Sequence, residues 1–394
     1  MPTTRGWAAI GAAVALGVLW AGFGEDLLLA LSVFLLTAVA GGSLYVRLAV
    51  PRLVLRRQIS PIQLHDGDRA LVDLSLESRR KIFHVTVEDR VHGLGSATFV
   101  ADRIADGDST AGRYEVLCRP RGVYTVGPAR VTIGDPLGFT ESVSTFGAAD
   151  RLVVYPWVED LTGVPTGRGQ DQTMNTSRAS FWHSSGEDFF TLREYQHGDD
   201  IRKIHWPSSA RRDTLMVKQL EMPWQSRAFI ALDPRVEPHA SGESFEQAVR
   251  GAASVLHHLF RSGYTPTIWA GFGNGTLVGS PDTYNAAMEE LATVRPVRSM
   301  DLRRVVARLT RSGMAGGVFV MVTGTPDEAD LATFQLLSQD FYRTVVLSVA
   351  EDDDDAVIRF AHAGALVVRT SATGTWDEPW RNAMEHGWST ATAG

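Results

Sequence analysis

The chain has 394 residues, 38 Lys and Arg against 45 Asp and Glu for a formal net charge of −7, and a single cysteine, Cys118. That length exceeds one typical domain and suggests roughly two or three. The acidic balance, without a long basic run, leaves no electrostatic footprint for nucleic acid. One cysteine excludes an intrachain disulfide and a cysteine-built zinc site.

The first 50 residues predict a transmembrane helical hairpin. Trp7 to Phe23 is apolar throughout, and Leu27 to Val46 is interrupted only by Ser32, Thr37 and Ser43. Each run is near the ~20 residues that cross a bilayer core. A cleaved signal peptide competes with this reading, but the second span follows directly and no small-residue cleavage signature separates the two. The connector carries Glu25 and Asp26, whereas Arg5 precedes the first span and Arg47, Arg52, Arg56 and Arg57 follow the second. The positive-inside rule then predicts a multi-pass protein of the cytoplasmic membrane, with both termini and the soluble domains in the cytoplasm. An outward-facing, adhesion-like receptor conflicts with this arginine bias.

From 58 to 156 the pattern shifts to short alternating runs: Ala70–Leu76, Phe83–Glu88, Ser96–Val100, Arg113–Cys118, Tyr124–Val126, Ala129–Ile133 and Leu152–Tyr155. Turn residues separate them, as at Asp106-Gly107-Asp108 and Gly134-Asp135-Pro136. Short strands so spaced predict an antiparallel, sandwich-like β-domain.

Residues 227–394 alternate strand and helix. Strands are expected at Arg227–Asp233, Thr267–Phe272, Gly317–Val322, Thr344–Val349 and Ala365–Arg369. Helices are expected at Ser244–Arg261, Thr283–Thr293, Leu302–Ser312, Asp327–Asp340 and Asp354–Ala363. This is an α/β pattern with a mostly parallel sheet, in which ligands collect at the carboxyl ends of the strands. The turn Thr323-Gly324-Thr325 and the segment after Asp233 are therefore the places to look. Asp233-Pro234-Arg235-Val236-Glu237 stands where a von Willebrand factor A fold carries an Asp-x-Ser-x-Ser metal motif, with Arg235 and Glu237 at the serine positions. A hard cation wants small oxygen ligands, so the motif reads as degenerate and no metal is expected. Gly271-Phe272-Gly273-Asn274-Gly275 lacks the Lys-Ser/Thr of a phosphate loop and reads as a hairpin or turn. The acidic run Glu351 to Asp355 lacks calcium-loop spacing and reads as a solvated helix start. No cofactor is implied.

The junction, 157–226, concentrates charge and aromatic residues without a clean period. Glu187, Asp199, Asp200 and His205 could compose a hydrolytic cluster, with His205 as base and Asp199 or Asp200 orienting it. A triad is recognised by geometry, however, and Arg193, Arg202 and Arg211 are near enough in sequence to pair with the carboxylates. Structural or docking use is the preferred reading.

Gly186-Glu187-Asp188-Phe189, Leu192-Arg193-Glu194-Tyr195, Gly198-Asp199-Asp200-Ile201-Arg202, Ile204-His205-Trp206 and Ser209-Ala210-Arg211, followed by Glu221, resemble the signature of the bacterial domain of unknown function fifty-eight. Arg121-Gly122-Val123-Tyr124 and Asp135-Pro136-Leu137-Gly138 resemble further features of that family. The resemblance implies two membrane helices, a β-rich domain and a von Willebrand A-like domain, and no established activity. It also implies association with a MoxR-type AAA+ ATPase and with transglutaminase-like membrane proteins. Pro207 departs from a frequent lysine. The expectation is a non-enzymatic, membrane-anchored adaptor docking a cytosolic partner, with a hydrolase as the alternative.

Overall fold

The computed structural model describes residues 1–50, 53–165, 190–195, 201, 204–212, 214–220, 227–271, 273, 275–298, 300, 317–350 and 355–386. Two compact units divide the chain: Met1–Trp157 with Leu291–Thr293, and Val158–Glu290 with Val294–Gly394.

In the first unit, α1 (Thr4–Phe23) and α2 (Asp26–Ala49) pack as a hairpin. The Thr3 hydroxyl caps α1 by accepting from Gly6 N at 3.1 Å, and Gly24 closes it at φ 71, a conformation open to glycine without cost. Ser32 Oγ donates to Ala13 O at 2.7 Å, so a polar group inside the hairpin is satisfied between the helices. The outer faces expose Val14, Val18, Leu19, Phe34 and Leu44. Both helices are long and apolar enough to cross a membrane, and α1 at 1.5 Å per residue spans about 30 Å.

The strands that follow build two sheets. A three-stranded antiparallel sheet joins β1 (Leu53–Ser60), β3 (Arg69–Ser78) and β6 (Ser109–Leu117). A seven-stranded sheet contains β2 (Leu64–His65), β4 (Ile82–Val91), β5 (Gly95–Ile104), β7 (Gly122–Val126), β8 (Ala129–Gly134), β9 (Glu141–Phe146) and β10 (Asp150–Tyr155). Only β2 with β10 is parallel, so the sheet is mixed. Alternate residues face the core, as Ala70, Val72, Leu74 and Leu76 do along β3. Val46 and Ala49, on the last turn of α2, belong to the same apolar cluster as Leu53, Leu76, Ile82 and Ile133.

The hairpin is seated by the β8–β9 loop. Asp135, 1% exposed, accepts from Leu137 N at 2.7 Å, from Thr140 Oγ1 at 2.8 Å and from Thr140 N. Thr3 N donates to Phe139 O at 2.8 Å and Thr3 Oγ1 to Gly138 O at 2.7 Å. A Cβ at Gly42 of α2 would stand 2.9 Å from Asp135 Oδ2, so glycine permits this close approach.

Arg57 differs from its expected place as a flank of the second span. It lies in β1, with a side chain 3% exposed. Nε and Nη2 contact Asp89 at 3.0 and 2.6 Å, and Nη1 contacts Asp150 at 2.7 Å. Tyr114 Oη donates to Asp89 at 2.7 Å, and burial, with this bond second, pushes the phenol's pKa up. The guanidinium thus ties β1 of one sheet to β4 and β10 of the other.

The second unit contains a six-stranded sheet in the order β15 (Thr276–Leu277), β14 (Thr265–Trp269), β13 (Arg227–Leu232), β16 (Val318–Thr323), β17 (Arg343–Val349), β18 (Leu366–Thr370). All neighbours are parallel except β14 with β15. Counted from β13, the order is doubly wound, reversing direction between β13 and β16. The central strands are buried on both faces, hence continuously apolar. Helix α4 (Gly242–Arg261), opened by a Ser241–Ser244 capping box, packs on β13, β14, β16 and β17. Phe229, Phe319 and Met321 form a cluster with Phe334 of α6 (Glu328–Ser338) and Phe360 of α7 (Asp355–His362). Helix α5 (Pro281–Thr293) starts on a second capping box, and α8 (Asp377–His386) adds an element the sequence reading omitted. Strands β14 and β15, antiparallel, flank the glycine run at 271–275, consistent with the hairpin its composition suggested. The helix expected at Leu302–Ser312 lies outside the described residues.

Replacing Arg57 by Met should cost about 3–5 kcal/mol, because Asp89 would be left buried and uncompensated. Urea unfolding of the full chain in detergent reads this directly, and adding Asp89→Leu to Arg57→Met should recover part of the loss.

Candidate functional site

A doubly wound sheet presents ligands with a crevice where its strand order reverses, outside the carboxyl ends of the strands. Here that point lies between β13 and β16, where Asp233 and Thr323 stand side by side. Asp233, 1% exposed, donates its amide to Val322 O at 2.8 Å. Its carboxylate is fully engaged. Oδ1 accepts from Arg235 Nε at 2.9 Å and Arg235 N at 3.1 Å, and Oδ2 accepts from Arg235 Nη2 at 2.7 Å and Thr323 Oγ1 at 3.0 Å.

Arg235 Nη2 also reaches Asp330 Oδ1 at 2.6 Å. Asp330 is fixed in turn by the opening of α6. Its N–H donates to Asp327 Oδ1 at 2.8 Å, and its Oδ2 accepts from Asp327 N at 3.1 Å. This reciprocal pair satisfies donors that a helix start leaves orphaned. Burial pushes the Asp330 carboxyl above the ordinary carboxylate range, against the lowering effects of the Asp327 amide and Arg235. The two carboxylates hold the Arg235 guanidinium well above its ordinary value, although burial works the other way.

The floor of the crevice is closed as well. His239 Nε2 lies 3.1 Å from Asp233 O, and because a carbonyl only accepts, Nε2 carries the proton. His239 Nδ1 is buried without a partner among the described residues, and burial lowers this histidine's pKa. The ring stands edge-on to Phe245 at 5.1 Å. Pro238 O accepts from Thr325 N at 2.7 Å, and a Cβ at Gly324 would fall 2.0 Å from Pro238 O, so only glycine fits beneath it.

Of the three residues in the degenerate adhesion motif, the structure brings Asp233 and Arg235 together. Glu237 is exposed and stands outside the cluster. Asp330 and His239 complete it and were not singled out from sequence. The signal for Asp330 was present in Asp327-Glu-Ala-Asp330, an acidic start of the helix that follows Thr323. Among the described residues no group of three or more His, Cys, Asp or Glu stands close enough to hold a metal ion. Elsewhere, a cavity of about 110 Å³ opens between the two sheets of the first unit, lined by residues such as Leu55, Leu76, Val87 and Phe99 and by no titratable group.

The described part of the family signature forms a ribbon with a short helix. Strand β11 (Phe190–Glu194) pairs antiparallel with β12 (Met216–Leu220), setting Arg193 opposite Val217, and Tyr195 N donates to Leu215 O at 2.8 Å. Helix α3 (Trp206–Arg212) packs beside β12. His205 N donates to Met216 O at 2.8 Å, and its Nδ1 lies 2.8 Å from Ser208 Oγ. Ser209 Oγ donates to His205 O at 3.0 Å while accepting from Met216 N at 2.8 Å. Trp206 is 65% exposed, and Arg211 faces solvent. Glu187, Gly198, Asp199, Asp200 and Arg202 lie outside the described residues, as does the side chain of Arg193.

This region has a family counterpart without an assigned activity. Residues 191–357, less than half of the chain, match the family described as Protein of unknown function DUF58. Among curated proteins, the uncharacterized protein YeaD of Bacillus subtilis (strain 168) is 31% identical over 218 residues, which cover 52% of this chain and 53% of YeaD. The chain therefore spans about half the length of this curated relative. Solved structures with some likeness include the CARDB domain of the PF1109 protein from Pyrococcus furiosus, in complex with di-metal ions. It has 12% identity and a TM-score of 0.20, covering 26% of this chain and 86% of that one. Spo0M, a sporulation control protein from Bacillus subtilis, has 10% identity and a TM-score of 0.17, covering 26% and 49%. At such TM-scores neither likeness bears on fold or function.

Replacing Arg235 by Met should cost about 3–5 kcal/mol at neutral pH, since two buried carboxylates lose their cation. The loss should shrink on acidification. Asp330 already has a raised pKa in the fold, and removing Arg235 takes away influences that lower it. A raised carboxyl contributes stability that is present below the ordinary carboxylate pKa and lost as pH rises through the folded value. Urea midpoints for Arg235→Met should therefore lie closer to those of the parent at pH 5 than at pH 7.

Proposed function

We propose that this chain is a membrane-anchored, non-catalytic adaptor whose α/β unit and signature ribbon dock a cytosolic partner. The observation that carries the reading is the Arg235 guanidinium held between Asp233 and Asp330 at the sheet's switch point. Where such a sheet would present a nucleotide, a metal or an acid–base pair, this one presents a closed ion cluster. The doubly wound order, with an antiparallel strand at one edge, supports a von Willebrand factor A-like unit in which an internal cation stands in the metal's position.

Binding then falls to the surface. Trp206, 65% exposed, and Arg211 stand on α3 within the family signature, and aromatic and arginine side chains are the residues that most often dominate interfaces. The short bonds around His205 and Ser209 hold α3 against β12, so these side chains are presented on a fixed helix and not on a free loop.

Anchoring rests on α1 and α2. Their apolar outer faces require cover that water does not provide, and the charge at their two ends differs in sign, with Glu25 and Asp26 at the connector and Arg5 and Arg47 at the far end. That asymmetry supports a multi-pass protein of the cytoplasmic membrane, with the sandwich and the α/β unit in the cytosol. The partner implied by the family resemblance is a MoxR-type AAA+ ATPase, with a transglutaminase-like membrane protein as a second component of the same assembly.

Capture of the full chain from native membranes should recover an AAA+ ATPase in a nucleotide-dependent manner. Trp206→Ala should weaken that capture by about tenfold or more, the range of an aromatic hot spot. Recovery of no ATPase under either nucleotide condition sinks the partner assignment. His205→Ala should lower the unfolding free energy by about 0.5–1.5 kcal/mol through the lost Ser208 contact. Loss of a hydrolytic activity in that variant, with the fold intact, would instead establish the residue as catalytic.

A further inference from the structure

The β3–β4 turn, Ser78 to Lys81, meets the last turns of α2. Tyr45 of α2 donates its hydroxyl to the Lys81 carbonyl, and its ring packs at 6.4 Å from that of Phe83. The Lys81 ammonium stands 5.1 Å over the same Phe83 ring. Across the β4–β5 ladder, Phe83 pairs with Arg103. Arg47, two residues beyond Tyr45 on α2, is exposed, as are Arg79, Lys81 and Arg103. Arg79, Arg80, Lys81 and Arg103 thus gather where the apolar hairpin ends, with Arg47 at the same level of α2 on the face turned from Tyr45.

These five cations have no ion-pair partner among the described residues. Four other arginines of the same unit are paired. Arg57, Arg69, Arg90 and Arg113 each hold a carboxylate at 3.1 Å or less. Asp106 and Asp108 come near the turn through backbone bonds from Gly107 N to Ser78 O at 2.9 Å and from Ser78 N to Asp108 O at 3.1 Å, yet neither pairs with it. An unneutralised basic cluster beside an interfacial tyrosine, at the end of a helix able to span a bilayer, matches the chemistry of a phosphodiester headgroup. Guanidinium forks and an ammonium can donate to its oxygens, and the anionic leaflet supplies the attraction.

We propose that the β3–β4 turn, together with Arg47 and Arg103, is a docking surface for anionic phospholipid headgroups at the membrane boundary. The proposal rests on the hairpin's reading as a membrane anchor. It adds that the sandwich selects the lipid on which it sits.

The test uses the full chain, purified in a neutral detergent and offered equimolar phosphatidylglycerol and phosphatidylcholine, with retained lipid counted by native mass spectrometry. Phosphatidylglycerol should be retained preferentially. Arg79→Gln, at an exposed position, should reduce the preference roughly fivefold, and Arg79→Gln with Arg80→Gln and Lys81→Gln should reduce it by more than tenfold, following about 1 kcal/mol per basic residue near an anionic surface. Arg69→Gln with Arg90→Gln, which removes paired arginines elsewhere on the sandwich, should leave it unchanged. Equal retention of the two lipids by the parent, or an undiminished preference in the triple variant, overturns the proposal. Displacement of the lipid by millimolar glycerol 1-phosphate would also overturn it, by making the surface a free-phosphate site. Failure of the anchor reading is seen separately, as release of the protein from membranes by alkaline carbonate.

Discussion

A guanidinium locked between two buried carboxylates is the constraint on which the switch-point end of the α/β unit depends. Burying three charges costs several kcal/mol per ion, and only close, multiple hydrogen bonds offset it. Arg235 meets that condition because its planar fork takes Asp233 bidentately and still reaches Asp330. A lysine, a point charge without a fork, would not hold both in this way. The consequence is mechanical as well as electrostatic, since the end of β13, the end of β16 through Thr323, and the start of α6 through Asp330 are joined at one point. Chemistry at this crevice would need an open coordination position or a base free to accept a proton. Asp233 offers neither, because both of its oxygens already accept two hydrogen bonds.

The same solution appears in the sandwich, with a different effect. Arg57 joins strands of two sheets, and a Cβ at Gly127 would fall 2.2 Å from its Nη2, so a glycine turn gives the guanidinium its room. Where Arg235 fixes a crevice, Arg57 fixes the spacing of two layers. The hairpin is attached by another buried carboxylate, Asp135, which needs no cation because backbone amides and a threonine hydroxyl satisfy it. Its loop, Asp135-Pro136-Leu137-Gly138, was visible in the sequence only as a family feature. In the fold it holds the first residues of α1 and lies against Gly42 of α2. Val46 and Ala49 enter the sandwich core, so hairpin and sandwich share an interior.

How much of this was legible depended on the range of the interaction. Parallel strands such as Ala228–Leu232 and Val318–Val322 were readable because burial on both faces demands an unbroken apolar run. Helix α4 was readable because its apolar positions recur at helical spacing. Strand β1 was missed because Arg56 and Arg57 resemble the basic flank of a membrane span, and only the fold shows that Asp89 and Asp150 are waiting for one of them. Strand β15, two residues long, lies below any periodic signal, and α8 was hidden by a polar composition in which Trp380 alone is deeply buried. At the crevice, Asp233 and Arg235 were identified as neighbours in sequence. Asp330 lies 95 residues beyond Arg235 and is joined to it by topology alone.

Arginine therefore has two fates in this chain, and the difference bears on function. Arg57 and Arg235 are spent on the fold, enclosed with carboxylates where their field is cancelled within a few ångströms. Arg79, Arg80 and Arg103 are left open, and folding loses little by this, because exposed ion pairs contribute only about 0–1 kcal/mol. Their field extends over a Debye length of about 8 Å at physiological salt, far enough to act on a bilayer at the hairpin's end and not across the molecule. The chain as a whole carries a net charge of −7 and is repelled by an anionic surface. On the reading proposed above, the open arginines at the hairpin's end set a local attraction against that overall repulsion. In that reading, anchoring by apolar helices and headgroup contacts by these arginines act at the same end of the hairpin.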